Sequence, residues 1–124
     1  FLDESGLIRR ERVVVDLSGA DLTEADIGGL DLSDSDLSGA NLRGSDLYYA
    51  NLHSANLRGI NLETADLHRA NLRQADLRES MLRDALVTDD QLREAYSLEG
   101  ATMPDGSEMT EERWEAFQRS SRIP

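Results

Sequence analysis

Carboxylate and amide side chains recur every five residues through the middle of this 124-residue sequence, and they are the first candidates for chemistry. Two carboxylates that converge in a cleft can act as general acid and general base in hydrolysis, or can bind a divalent cation. The two histidines, His53 and His68, are the remaining candidates. The recurring set is Asp16, Asp21, Asp26, Asp31, Asp36, Asn41, Asp46, Asn51, Asn56, Asn61, Asp66, Asn71 and Asp76.

A leucine, or isoleucine at one position, follows each of these polar residues, and the period limits which secondary structure can hold them. In an α-helix a five-residue step rotates the side chain by about 140°, which would scatter the leucines around the helix. In a straight strand an odd period would send successive leucines to opposite faces. The period therefore predicts a chain that turns once per unit, around a core of Leu17, Leu22, Ile27, Leu32, Leu37, Leu42, Leu47, Leu52, Leu57, Leu62, Leu67, Leu72, Leu77 and Leu82.

Each unit then has an inside, an outside and a corner. A small residue such as Ala20 and the leucine two positions later point inward, while the Asp or Asn between them points outward. Corner pairs such as Ser18-Gly19 are turn-forming or polar, and the bulky Leu30 and Ile60 are exceptions at small-residue sites. Since convex walls form no cleft, we expect the polar column to bond nearby backbone, and we predict no enzyme and no catalytic, cofactor-binding or metal site.

The repeat units resemble those of the pentapeptide-repeat family, whose motif is A(D/N)LXX. Here they read ADLTE, ANLRG, ANLHS, ADLHR, ANLRQ and ADLRE, and the match covers residues 15–87. The resemblance implies an all-β solenoid: a right-handed quadrilateral β-helix with four units per coil, in which residues about 20 apart stack. The fourteen units would then form about 3.5 coils.

The N-terminal segment differs from the repeat and is expected to cover the first coil. Residues 1–14 form this predicted lead-in or cap, and FLDESGLIRRERVVVDL resembles the lead-in of bacterial domains that follow a membrane-anchored segment. The sequence has no cysteine and no apolar run long enough to span a membrane. We therefore expect a cytoplasmic location, with a membrane tether if an anchored segment lies upstream.

The C-terminal segment, residues 88–124, is predicted to be an α-helical cap. A first helix is expected from Thr88 to Gly100, with Leu92, Ala95 and Tyr96 on one face, and LEGATMPDGS resembles the tail of bacterial pentapeptide-repeat proteins. A second helix is expected to start at Thr110. That helix carries two aromatic side chains, Trp114 and Phe117. We expect them either to seal the cap of a monomer or to join two chains as a homodimer.

Charge is distributed unevenly along the chain. The sequence has 25 acidic against 13 basic residues and a net charge of −12, which repels nucleic acid, so direct nucleic-acid binding is not expected. Residues 16–36 contain seven acids and no base, whereas residues 43–84 contain six of each. The N-terminal half of the solenoid is therefore the acidic half.

A candidate recognition surface follows from the stacking that the family resemblance implies. A column of carboxylates would lie beside two adjacent tyrosines and two basic residues, and exposed aromatics next to charge favour interfaces. An exposed tyrosine pair without a partner is the alternative. The surface comprises Asp26, Asp46, Asp66, Tyr48, Tyr49, His68 and Arg69.

Two functions fit these observations. The first is a structural or protein-interaction module with an unknown protein partner. The second comes from the family resemblance, since some pentapeptide-repeat proteins are acidic DNA mimics that bind DNA gyrase or topoisomerase and confer quinolone resistance. The net charge favours the mimic, whereas the short solenoid, its near-neutral second half and the absence of phenylalanine from the central positions favour the module.

Overall fold

Single-residue parallel β-bridges join the repeat units, from that of Asp16 to that of Asp66, to the units that lie 20 residues further on. The computed structural model describes residues 14–120, and the bridges begin with Asp16 and Asp36 and continue unit by unit. The Leu17 N–H donates to the Asp36 carbonyl at 2.7 Å, and the Asp36 N–H donates to the Val15 carbonyl at 3.0 Å. Because each unit has five residues, an offset of 20 means that four units make one coil.

Each corner is a tight turn whose second residue has a left-handed backbone. The Ala20 N–H donates to the Leu17 carbonyl at 3.0 Å, and the equivalent bond closes every later corner up to Ala85. All fourteen second-corner residues, from Gly19 to Asp84, have φ between +57° and +72°. A positive φ at this position is what a type II turn requires, and glycine adopts it without strain. Nine of the fourteen residues are not glycine, so the ladder imposes this conformation on them.

The inward leucines form one continuous core that is less well covered at its first coil. Leu32 and every later repeat leucine are at most 5% exposed. Three earlier members are only partly buried: Leu17, Leu22 and Ile27. The two bulky residues at small-residue sites follow the same trend, since Ile60 is 1% exposed in the third coil and Leu30 is 49% exposed in the first. Burial therefore depends on the position in the stack, because inner coils are covered from both sides.

Helix α1 (Asp89–Arg93) replaces a bridge on one side of the last coil. A capping box starts it: the Gln91 N–H donates to Thr88 Oγ1 at 3.2 Å, and the Thr88 N–H donates to Gln91 Oε1 at 2.9 Å. Gln91 Nε2 donates to the Ala70 carbonyl at 3.0 Å. In inner coils the equivalent carbonyl accepts a backbone N–H, as Ala50 does from Asn71 at 2.9 Å. The Gln91 side chain thus substitutes for its own backbone N–H, which the helix cap uses.

The parallel ladder resumes after α1 and runs beyond the predicted end of the repeat region, 15–87. Ser97 pairs with Asp76, and Thr102 pairs with Met81, at an offset of 21 residues rather than 20. The extra residue is accommodated because α1 lies between the two parts of the ladder. Part of the segment that we predicted as helical cap therefore continues the solenoid.

The first C-terminal helix is shorter than predicted. The prediction that it extends to Gly100 was wrong. Helix α1 ends at Arg93, and the Tyr96 N–H then donates to the Ala75 carbonyl at 2.9 Å. This bond returns the chain to the ladder and prevents a longer helix. Tyr96 consequently lies outside α1 and is exposed, whereas Leu92 is buried.

A turn and a second helix complete the described chain. The Gly106 N–H donates to the Met103 carbonyl at 2.8 Å, and helix α2 spans Glu111–Ser120. Trp114 is buried and stacks on Phe117 with ring centroids 6.1 Å apart. These two aromatic side chains therefore pack within the C-terminal part of this chain.

The predicted N-terminal lead-in, residues 1–14, lies outside the described residues except for Val14, as do residues 121–124. In the part of the chain that the structure describes, no helix has the length and apolar character that a membrane crossing requires.

Candidate protein interface

The repeating Asp and Asn side chains are committed to the corners of the solenoid. In all thirteen units the side-chain Oδ1 accepts a hydrogen bond from the backbone N–H two residues later, as in Asp46 to Tyr48 at 2.9 Å. Hydroxyls add a second bond at several corners, and the Ser18 hydroxyl holds the pKa of Asp16 below its ordinary value. Such local bonds are typical of Asp and Asn at turns. The column therefore stabilises the backbone of the corner turns.

Between residues 14 and 120, no group of three or more potential ligands is arranged to hold a metal ion. A shallow cavity of about 290 Å³ lies near α2, lined in part by Met103, Met109 and Phe117. One of its two acidic residues, Asp105, accepts hydrogen bonds from the Ser107 hydroxyl at 2.6 Å and from the Ser107 backbone N–H at 2.9 Å, and the hydroxyl bond is the main cause that lowers the pKa of Asp105. A carboxylate held ionised in this way is a poor general acid.

The seven predicted surface residues meet on one side of the solenoid and its adjoining corner, and we call them the Tyr48 surface. Asp26, Asp46 and Asp66 are joined in succession by parallel bridges. The rings of Tyr48 and Tyr49 pack edge to face, with centroids 4.5 Å apart and planes at 82°. The two tyrosines are 44% and 51% exposed. The surface therefore combines a fixed aromatic pair with a carboxylate column.

The two basic residues of the Tyr48 surface already have partners within it. The Arg69 guanidinium lies 5.5 Å from the centre of the Tyr49 ring, a cation–π distance. His68 Nδ1 is 2.8 Å from Asp66 Oδ1, and the backbone bond from His68 is the main cause that lowers the pKa of Asp66. The third coil is therefore internally paired, while the second coil presents the tyrosines.

Ion pairs are concentrated in the C-terminal part of the described chain. The five salt bridges formed between two residues of the range 14–120 all involve a residue numbered 58 or higher: Arg58–Glu79, His68–Asp66, Arg73–Glu94, Arg78–Asp76 and Arg93–Asp90. Asp26 and Asp46 form no ion pair with any residue from 14 to 120. On this part of the chain, their charge is left for solvent or for a partner.

Gly28 and Gly29 were predicted only as a turn, but they shape the Tyr48 surface. They occupy the corner that stacks on the two tyrosines, and the Gly29 N–H donates to the Tyr48 carbonyl at 2.8 Å. A Cβ on Gly28 would lie 3.0 Å from that carbonyl oxygen. Glycine therefore permits the close approach and leaves no side chain over the tyrosine corner. The signal in the sequence was the 20-residue offset between Gly28-Gly29 and Tyr48-Tyr49.

Arg78 was also missed, since it does not belong to the predicted recognition surface. Its Nε and Nη2 donate to the two carboxylate oxygens of Asp76 at 2.9 and 2.6 Å, and its guanidinium lies 5.6 Å from the Tyr96 ring centre. The bond from the Arg78 side chain is the main cause that lowers the pKa of Asp76. This cluster ties the repeat to the segment that rejoins the ladder after α1.

A family model for pentapeptide repeats matches the chain over residues 16–53, 29–63 and 45–84. The chain belongs to the pentapeptide-repeat family. Membership implies a right-handed quadrilateral β-helix, in agreement with the four units per coil seen in the bridges. A search among curated proteins gives no significant match.

Solved structures of pentapeptide-repeat proteins are similar to this chain. HetL, a protein involved in heterocyst differentiation regulation from the cyanobacterium Nostoc sp. strain PCC 7120, is 32% identical over 76% of this chain, with a TM-score of 0.38. Rfr23 from the cyanobacterium Cyanothece 51142 is 38% identical over 69% of this chain, with a TM-score of 0.36. QnrB1, a plasmid-mediated fluoroquinolone resistance protein, is 19% identical over 71% of this chain, with a TM-score of 0.25. The aligned part spans 53% of HetL, 58% of Rfr23 and 57% of QnrB1.

Proposed function

We propose that this chain is a non-enzymatic protein-interaction module: a β-helix of about 3.5 coils with a C-terminal helical cap that presents the Tyr48 surface to a protein partner. The observation that carries the proposal is the pair of exposed tyrosines beside Asp26 and Asp46, two carboxylates that form no ion pair with any residue from 14 to 120. Tyrosine is enriched in interfaces because it buries a large area with few rotatable bonds.

The backbone beneath the tyrosines supports this proposal because it is held from both neighbouring coils. The Tyr49 N–H donates to the His68 carbonyl at 3.0 Å, and the Tyr48 carbonyl accepts from Gly29 at 2.8 Å. The corner itself is closed by the bond from the Ala50 N–H to the Leu47 carbonyl at 2.9 Å. Such preorganisation reduces the ordering entropy that binding would otherwise cost.

Affinity capture tests the proposal if it compares surface variants of the same folded chain. We expect a protein from the source organism to be retained by the wild type and lost when Tyr48 and Tyr49 are both replaced by serine. The matched control replaces Arg58 and Arg73, which lie at other corners, by serine and should retain it. Retention that is equal for all three proteins, or absent from all three, would contradict the proposal.

An acidic DNA mimic that binds gyrase or topoisomerase is the second candidate. The seven acids and no base of residues 16–36 favour it, because a column of carboxylates can imitate the charge of a phosphate backbone. A gyrase supercoiling assay with and without a fluoroquinolone tests it, with the protein titrated into the micromolar range. Inhibition of supercoiling or protection from the drug would favour the mimic, and no effect would leave the interaction module.

Assembly and location belong to the same proposal. Burial of Trp114 and its stacking on Phe117 support a sealed cap in a monomer rather than a homodimer through α2. Light scattering during size-exclusion chromatography distinguishes the two, since a dimer would have twice the 13.8 kDa mass. We further propose a cytoplasmic module, tethered to a membrane if an anchored segment lies upstream.

A further inference from the structure

We infer that the Tyr48 surface binds an arginine- or lysine-bearing segment of its partner, with the cation against the Tyr48 ring and the carboxylates of Asp26 and Asp46. This inference rests on the proposed function and specifies the chemistry of the partner. The three residues lie in the first two coils of the same side and corner.

The aromatic part of the argument comes from the difference between the two tyrosines. Arg69 lies 5.5 Å from the Tyr49 ring centre, so Tyr49 already accepts a cation from within the chain. Tyr48 has no such cation among residues 14–120, although it is 44% exposed. Within the described residues, the Tyr48 ring is therefore available for a cation–π contact like the one that Tyr49 makes.

The carboxylates supply a second attraction to the same cation. Asp26 and Asp46 each use Oδ1 to accept the corner N–H, at 3.4 and 2.9 Å. Their Oδ2 atoms accept no hydrogen bond from the described residues, and neither carboxylate has an ion pair there. A guanidinium or ammonium group would satisfy these oxygens with charge-assisted bonds.

Access and orientation follow from the neighbouring corners. Gly28 and Gly29 place no side chain over Tyr48 from the first coil, so within residues 14–120 no side chain of this corner covers the tyrosine. On the opposite side, the third coil presents Arg69 and His68, and the positive charge of Arg69 repels a second cation. The incoming cation therefore approaches over the glycines, where all the charged residues of segment 16–36 are acidic.

Nuclear magnetic resonance with a defined peptide tests the inference. The probe is a capped peptide in which four arginines alternate with glycines, added to the 15N-labelled chain. Its control is the same peptide with citrulline, which keeps the shape and removes the charge. We expect arginine-dependent chemical-shift changes centred on Gly28, Gly29 and Tyr48. Changes spread evenly over all acidic sides, or equal changes with citrulline, would overturn the inference.

Charge-matched variants separate specific binding from general attraction to an acidic protein. Asp46→Asn and Asp21→Asn each remove one negative charge from −12, and asparagine can retain the Oδ1 bond to the corner N–H, as it does in other units. We expect about three- to tenfold weaker peptide binding for Asp46→Asn and little change for Asp21→Asn. Equal weakening would show general electrostatic attraction and refute the inference.

Ring variants test the aromatic contribution and guard against loss of folding. Tyr48→Ala should weaken peptide binding by about three- to fivefold at an unchanged melting temperature, and Tyr48→Phe should restore it. Unchanged binding by Tyr48→Ala would refute the aromatic contact. If protein capture depends on Tyr48 and Tyr49 while the peptide does not bind here, this inference fails and the proposed function stands. If no protein is retained, the proposed function fails whatever the peptide does.

Discussion

Replacing Gly39 by alanine isolates the conformational demand of the second corner position. Gly39 has φ +66°, and a Cβ added there would meet no atom within 4 Å, so the change introduces no steric overlap with neighbouring coils. A left-handed backbone costs a residue with a Cβ roughly 1–2 kcal/mol, whereas alanine restricts the unfolded chain and offsets roughly 0.4–1 kcal/mol. We therefore expect the free energy of unfolding to fall by about 1 kcal/mol, or roughly 3–6 °C in melting temperature.

Gln74 provides the reverse test at an equivalent corner. Gln74 has φ +59° and is exposed, and its side chain forms no hydrogen bond with any residue from 14 to 120, while its N–H donates to the Glu94 carbonyl at 2.9 Å. Gln74→Gly should raise the free energy of unfolding by about 1 kcal/mol, and Gln74→Ala should leave it within about 0.5 kcal/mol. Urea unfolding followed by circular dichroism measures all three variants. A neutral Gly39→Ala, or a destabilising Gln74→Gly, would refute the reasoning.

Four further predictions, which use five substitutions, concern the core, the end of the ladder and the charges. Leu57→Asp buries a charge at a fully buried position and should unfold the chain, whereas Arg58→Asp at the next residue should be tolerated, as melting temperatures will show. Gln91→Glu keeps the acceptor for the α1 cap but removes the donor to the ladder carbonyls, and should cost about 1–2 kcal/mol in urea unfolding. Ser80→Ala removes a buried hydroxyl without a hydrogen-bond partner in the described chain and should stabilise it by about 1 kcal/mol, as thermal unfolding will show. The pKa of Asp76 is lower in the folded chain than its ordinary value, so the ionised Asp76 carboxylate stabilises the folded chain. This stabilisation is fully present above the unfolded pKa of about 3.9 and is lost as pH falls through the folded pKa. Asp76→Asn should therefore lose less stability than the wild type between about pH 5.5 and 3, as the midpoints of urea unfolding will show.

Each of these changes has an outcome that would count against it. Equal melting temperatures for the Leu57 and Arg58 variants would contradict the inward and outward assignment. Full stability of Gln91→Glu would mean that its side-chain amide does not replace a ladder bond. If Ser80→Ala destabilised the chain, the Ser80 hydroxyl would have a hydrogen-bond partner that is not seen among the described residues. An acid-induced loss as large in Asp76→Asn as in the wild type would assign the pH dependence to other carboxylates.

The repeat could be predicted from sequence because one physical rule governs every unit. A five-residue period is incompatible with a helix or a straight strand, and it placed Leu57 inside and Asn56 at a corner bond from the residue types alone. The same reasoning could not predict burial at equivalent sites. Leu30 and Ile60 occupy the same position in their units and differ by 48 percentage points in exposure, from 49% to 1%. The difference arises from which coils cover them, which is a property of the stack.

The C-terminal part was harder to predict because its order depends on interactions across coils. Thr88 and Gln91 correctly marked the start of a helix, but the end of α1 depends on the bond that returns Tyr96 to the ladder. The shift to an offset of 21 removes the five-residue period that made the earlier coils readable. The helix cap is therefore encoded in neighbouring residues of the sequence, whereas the return to the ladder depends on residues of the preceding coil.

The Tyr48 surface was partly predictable for the same reason. A stacking distance of 20 residues was enough to bring its members together, and the bridges place Asp26, Asp46 and Asp66 in succession. The two tyrosines differ in whether a cation contacts the ring, and this depends on side-chain directions that residue spacing does not specify. Only coordinates show that Arg69 lies over Tyr49 and that Tyr48 has no cation within the described chain.

Site-specific photo-cross-linking from the tyrosine corner tests the central claim most directly. Tyr48 is replaced by p-benzoylphenylalanine, an aromatic for an aromatic, and the control carries the same group in place of Gln74 at another exposed corner. Each full chain is irradiated in a lysate of the source organism, and the products are resolved by mass. The interaction module predicts a discrete adduct from position 48 that is absent from position 74. Identical products from both positions, or none from position 48, would contradict it.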